Sequence, residues 1–154
     1  MPDTFTQLYV QLVFAVRGRE NLIRFSWEER LYKYITGIIQ NKDQKLFAIN
    51  GMPDHIHLLI SMKPTCCISD LVREIKKSST EFIKDNRFTN FNFHWQEGFG
   101  GFTYSHSQLD QVVRYIIRQK DHHKKRTFRE EYIEFLKGFA VKYSDEHLFD
   151  WIEH

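Results

Sequence analysis

Hydrophobic positions along this chain alternate between two rhythms. Residues 5–16 are rich in β-branched and aromatic side chains and predict a long strand, central in a sheet. From residue 27 to about residue 40 the spacing is helical. Leu31, Tyr34, Ile35, Ile38 and Ile39 fall on one side there, and Ser26 stands where a cap belongs. Two further apolar runs, residues 45–50 and 55–62, flank Gly51-Met52-Pro53-Asp54, which is turn chemistry and predicts a hairpin. A second amphipathic helix opens at Ser69, with Leu71, Val72, Ile75, Phe82 and Ile83 along its apolar side.

The second half is less regular. Residues 86–100 show little periodicity, and residues 102–105 predict a short strand. Ser107-Gln108-Leu109-Asp110 has the form of a capping box with Asp in place of Glu, ahead of a helix reaching about residue 123. Val112, Tyr115, Ile116 and Gln119 keep helical register in it, and Thr127 caps one more helix through residue 136. The order β-α-β-β-α-β-α is the ferredoxin-like (RRM-like) arrangement, an α+β fold with an antiparallel sheet backed by helices. No repeat, low-complexity stretch or linker interrupts it, so residues 1–154 read as a single domain.

Composition narrows the class. Hydrophobic residues make up 42% and charged residues 27%, as in a soluble globular protein. The 14 Phe, 7 Tyr and 3 Trp mostly fit a core, with a few free to stack on bases. No apolar run approaches the ~18 residues of a membrane span, and the N-terminus lacks a signal-peptide pattern, so a cytoplasmic protein is expected. Cys66 and Cys67 are adjacent and read as reduced thiols. The net charge of +2 is unevenly spread. Residues 107–129 carry seven Lys/Arg against Asp110 and Asp121, whereas residues 130–154 carry seven acids against Lys137 and Lys142. A basic segment beside an acidic tail suits a polyanion met by one face only, although a solvated helix face has the same look.

Two short patterns carry chemistry. In Asp54-His55-Ile56-His57 on a strand, His55 and His57 point to one face while Ile56 points to the other, so two imidazoles can share a metal. Alone, such a pair more often consists of structural histidines. In Tyr115-Ile116-Ile117-Arg118-Gln119 on a helix, the phenol and the amide project together from positions i and i+4. Alone, this pair too is ordinary.

In combination and in this order, the two patterns resemble the single-tyrosine HUH transposases of the small bacterial insertion sequences. The likeness extends over nearly the whole chain. It includes Leu12-Val13-Phe14, Tyr34-Ile35-Thr36-Gly37-Ile38-Ile39, Gly51-Met52-Pro53-Asp54-His55-Ile56-His57 and Ile68-Ser69-Asp70-Leu71-Val72. It continues through Trp95-Gln96-Glu97-Gly98, Phe102-Thr103-Tyr104-Ser105 and Tyr115-Ile116-Ile117-Arg118-Gln119-Lys120-Asp121-His122-His123. Arg118 and Lys77 depart from it, standing where relatives often carry Asn.

The resemblance implies an additional C-terminal catalytic helix bearing Tyr115 as nucleophile. It implies Mg²⁺ or Mn²⁺ held by His55, His57 and Gln119, three neutral ligands that leave the metal its full charge. It further implies a substrate of single-stranded DNA with hairpin ends, a covalent 5′-phosphotyrosine, and a homodimer in which one subunit's tyrosine helix completes the other's histidine site. Lys76, Lys77, Arg118, His122, Lys124 and Lys125 are the expected DNA contacts, with Arg126 beside them, and His123 joins them as a structural or DNA-contact residue. Three alternatives remain. They are a domesticated relative acting on repetitive extragenic palindromes, a non-catalytic nucleic-acid-binding ferredoxin-like module, and a zinc hydrolase using His55, His57 and His122 or His123.

Overall fold

The structure, a computed structural model, describes residues 2–152. Strand β1 (Tyr9–Ala15) is shorter than its run of β-formers, and Phe5 is left exposed. Helix α1 (Glu28–Asn41) buries Leu31, Ile35, Ile38 and Ile39. Its N-cap is Trp27, so Ser26 does not serve as the cap. Strands β2 (Lys45–Met52) and β3 (His55–Ser61) form the expected hairpin, with Pro53 and Asp54 left for the turn. Helix α2 (Ile68–Asp85) starts after Cys67, one residue before the predicted Ser69. Strand β4 (Gly100–Tyr104) completes a sheet of order β2-β3-β1-β4 in which every pair is antiparallel. This is the ferredoxin-like topology that the element order predicts.

Strand alternation gives the sheet two faces with different duties. Ile56, Leu58 and Ile60 enter the main core with α1 and α2. His55, His57 and Leu59 point the other way. The predicted helix to residue 123 is in fact two: α3 (Leu109–Ile117) and α4 (Gln119–His122), broken at Arg118. The break is pinned to the hairpin, since Asn50 Nδ2 donates to the Ile117 carbonyl and Lys120 Nζ donates to Asn50 Oδ1 and the Gly51 carbonyl. An orphan carbonyl at a helix end is thereby satisfied. The capping box lies two residues earlier than expected. Ser105 and Gln108 form it, around a 3₁₀ turn at His106–Gln108. Val112 and Ile116 of α3 pack on Ala48 and Leu59. Thr127 caps α5 (Phe128–Gly138), accepting from the Glu130 amide at 3.2 Å as predicted. Phe149 then packs against Phe128 and Tyr132 and holds α5 down. Cys66 and Cys67 are free thiols, and no described helix is long and apolar enough to cross a membrane.

Gly51 of β2 pairs with Ile56 of β3, where the backbones leave no room for a side chain. A Cβ there would collide with the His55 carbonyl and stand 2.9 Å from Ile56 Cα, both backbone atoms with no room to turn aside. Gly51→Ala is therefore expected to destabilise the protein by about 3 kcal/mol, the upper end for over-packing. Urea unfolding measures this, and a change within about 0.5 kcal/mol would show that the hairpin relaxes freely.

Candidate active site

The face of β3 turned toward α3, α4 and α5 holds a closed group of polar side chains. His55, His57, Gln119 and Glu131 are all fully buried, which requires each polar atom to find a partner. The imidazoles are oriented from behind. His55 Nδ1–H donates to Asp54 Oδ1 at 2.7 Å, and His57 Nδ1–H donates to Gln11 Oε1 at 2.8 Å. Gln11 comes from β1, where it pairs with Leu59 and so shares the histidine face. Both rings thus present Nε2 to the centre of the site, the arrangement that metal-binding histidines take from their supporting residues.

Glu131, on α5, occupies that centre. Its Oε1 lies 2.8 Å from His57 Nε2, 3.3 Å from His55 Nε2 and 3.2 Å from His123 Nε2. Its Oε2 accepts from Gln119 Nε2 at 3.1 Å and from the Tyr115 hydroxyl. Gln119 Oε1 stands 3.3 Å from His55 Nε2 and 3.1 Å from His123 Nε2. Arg126 Nη2 donates to the Tyr115 oxygen at 2.6 Å from the open side.

These contacts set the protonation of the group. Burial alone would lower the His55 imidazole, but its hydrogen bonds to Asp54 and Glu131 push it up to about 9. At His57 burial prevails and the imidazole sits below its ordinary value. Burial opposes ionisation of Glu131, yet the imidazoles around it hold its carboxyl far below the usual range. Burial and the Glu131 charge push the Tyr115 phenol well up.

His57 faces an oxygen acceptor at both nitrogens, and a neutral ring can donate to only one. The remaining lone pair is turned toward a carboxylate, an arrangement that a cation between them would relieve. The ligating atoms of His55, His57 and Glu131 lie within 4.8 Å of one another. Two nitrogens, a carboxylate oxygen and the Gln119 carbonyl oxygen form a donor set that fits a divalent metal such as Mn²⁺, and Mg²⁺ less readily.

The structure therefore gathers Tyr115, His55, His57 and Gln119 in one place, all from one chain. It adds three residues that the pattern reading did not assign: Glu131, Gln11 and Asp54. Asp54 lay inside the motif, but its role needs the turn geometry. Glu131 is separated from His57 by 74 residues and sits in Glu130-Glu131 with no spacing rule to single it out. With Glu131 present the candidate ligand set is no longer all neutral. The adjacent His122 and His123 also divide their roles. His123 reaches the site, whereas His122 stacks on the Tyr115 ring at 4.3 Å. Among the expected DNA contacts, Lys77, Arg118, Lys124 and Lys125 are exposed. Lys76 is different: it donates to the carbonyls of Gln96 and Gly98 at 2.8 and 2.7 Å, clasping the loop before β4.

Comparison with known proteins agrees with this fold. The chain is 26% identical over 121 residues to the ISDra2 transposase TnpA of Deinococcus radiodurans, covering 75% of this chain and 86% of that protein. A crystal structure of a transposase from Deinococcus radiodurans superposes with a TM-score of 0.60 at 22% identity, covering 77% of this chain and 95% of the other. The structure of a REP-associated tyrosine transposase bound to a REP hairpin gives 0.61 at 17% identity, covering 97% and 93%. The family model described as "Transposase IS200 like" matches residues 4–119, and the chain belongs to that family of transposases.

Proposed function

We propose that the protein cuts and rejoins single-stranded DNA at hairpin-bearing ends, with Tyr115 as nucleophile. The observation that carries this reading is the convergence of a tyrosine hydroxyl with two buried histidines, an amide and a carboxylate in one site. His55, His57 and Glu131, with Gln119, would hold the metal, which would polarise the scissile phosphate and stabilise the charge developing there. The hydrogen bond to Glu131 Oε2 and the stack on His122 fix the phenol's direction. Tyr115 Oη attacks phosphorus, the bond to the 3′ oxygen breaks, and the strand leaves with a free 3′-hydroxyl. The 5′ end stays on the enzyme as a phosphotyrosine, which stores the bond for rejoining without ATP. Lys124, Lys125 and Arg118 line a surface hollow with His122 and Arg126 and would contact phosphates, adding affinity without reading sequence.

A second reading has the same chemistry but a host-serving role on repetitive extragenic palindromes. The likeness to the hairpin-bound transposase supports it, because that fold matches 97% of this chain and so includes the segment after residue 119. DNA flanking the gene separates the two, since a mobile copy lies between hairpin-forming ends.

The test is incubation of labelled single-stranded end DNA with protein and Mn²⁺ or Mg²⁺, resolved on a denaturing gel. A protein-linked product is expected, and chelator should abolish it. His55→Ala and His57→Ala should each lower it about 10²-fold or more, the scale for loss of a transition-state stabilising group. Cleaved DNA with no protein attached would favour a zinc hydrolase instead.

A further inference from the structure

Opening onto the site, between α3, α5 and the β1–β4 edge, lies a cavity of about 320 Å³ whose lining includes Gln11, Arg126, Glu131 and Glu134. Tyr115 forms one of its walls, so anything seated there lies next to the reacting oxygen. Tyr104, Phe135 and Phe139 supply aromatic walls, Gln111 offers an exposed amide, and Gly138 lines the cavity without a side chain. Phe139 is 39% exposed although it packs on Tyr104 and Phe102, leaving a ring partly uncovered.

The volume is at the low end of the roughly 300–1,000 Å³ of small-ligand pockets, too small for a duplex and large enough for one flat heterocycle. Aromatic walls with a few amide groups are how proteins hold an unstacked base, by stacking on its face and hydrogen-bonding its edge. An amide both donates and accepts, so it can meet any base edge. We propose that this cavity takes the nucleobase flanking the scissile phosphate, turned out of the strand, and that it thereby aligns the phosphate with Tyr115. This rests on the reading of the protein as a single-strand DNA transferase.

Two measurements test the cavity and the chemistry separately. Deoxynucleoside 5′-monophosphates are first titrated into the full chain and followed by saturation-transfer NMR. Base protons should receive saturation from the wild-type protein. They should lose it in Gly138→Leu, whose new side chain begins in open space, and weaken in Phe139→Ala. Unchanged thermal unfolding of Gly138→Leu checks that only the cavity was altered. No saturation transfer to any base, or transfer surviving in both variants, overturns the proposal whether or not the protein cleaves DNA.

In the second measurement, an abasic nucleotide is placed at each position around the mapped cleavage point. One flanking position should lower adduct formation about tenfold, within the range for a base stacked on an aromatic ring. Gly138→Leu should lower cleavage of intact DNA similarly while leaving the abasic substrate unaffected. Equal, additive losses would assign the cavity no base. Absence of any adduct with intact DNA would instead count against the proposed reaction, with the nucleotide titration still deciding the cavity.

Discussion

Tyr115→Phe is expected to abolish the covalent DNA adduct while hairpin binding stays within a few-fold of wild type. Only one oxygen is removed, and it is the atom that must bond to phosphorus. Strand cleavage should fall by about 10³-fold or more, because no neighbouring group can take over a covalent step. The fold should tolerate the change. The ring keeps its stack on His122 and its edge contact with Phe135, so the packing is unaltered. What is lost is the hydroxyl between Glu131 Oε2 and Arg126 Nη2, an effect of about 1 kcal/mol on stability. Cleavage and binding are read in one assay, by denaturing and native gels from the same mixture. An adduct persisting in the variant would remove Tyr115 from the role, with Tyr104 on β4 the next hydroxyl to examine. A large loss of binding would mean instead that the phenol belongs to the DNA surface.

The fold was legible where periodicity is strong. The hairpin of β2 and β3, the two long helices and the Thr127 cap all follow from residue spacing and local turn chemistry. The misplacements are equally local. Ser26 and Ser69 have capping side chains, but α1 begins two residues after Ser26 and α2 one residue before Ser69. Nothing local announces the break at Arg118. It comes from Asn50 on the hairpin holding the Ile117 carbonyl and the Lys120 ammonium, contacts that span 67 to 70 residues and leave no periodic trace.

The site divides the same way. His55-Ile56-His57 is visible because it obeys the geometry of its strand, and Tyr115 with Gln119 because helical spacing brings them together even though the helix breaks at Arg118 between them. Gln11 was hidden as one polar residue in a strand of apolar ones, its purpose given only by register with β3. Lys76 has a structural partner that sequence does not announce. Beside Lys77 it reads as a phosphate contact, and its ammonium is tied to backbone carbonyls, with burial lowering its pKa to about 8. Glu131 had no local signal. Its significance appears only when α5 folds over the histidine face.

Glu131→Gln and Glu131→Ala should therefore have large and separable effects. Among the described residues, Glu131 is the one in contact with His55, His57, His123, Gln119 and Tyr115 together. In metal-free protein, Glu131→Ala leaves the imidazoles without their buried counter-charge and opens a void at the centre. Removing one partner of a buried pair costs about 3–5 kcal/mol, and the lower end applies because an imidazole can shed its proton. At ~2–4 °C per kcal/mol, unfolding should begin about 6–12 °C lower. Glu131→Gln retains the volume and one acceptor oxygen, so its metal-free stability should fall much less.

Metal separates the structural from the ligating role. Mn²⁺ at 100 times its dissociation constant stabilises a folded site by about 2.7 kcal/mol. Wild type should show that rise in calorimetry, and Glu131→Gln should lose most of it, because an amide oxygen does not replace a carboxylate on a hard cation. If Glu131 only neutralised the histidines, the Mn²⁺ rise would survive in Glu131→Gln. The metal would then rest on His55, His57 and Gln119 alone, with the carboxylate serving to hold the site together before metal arrives.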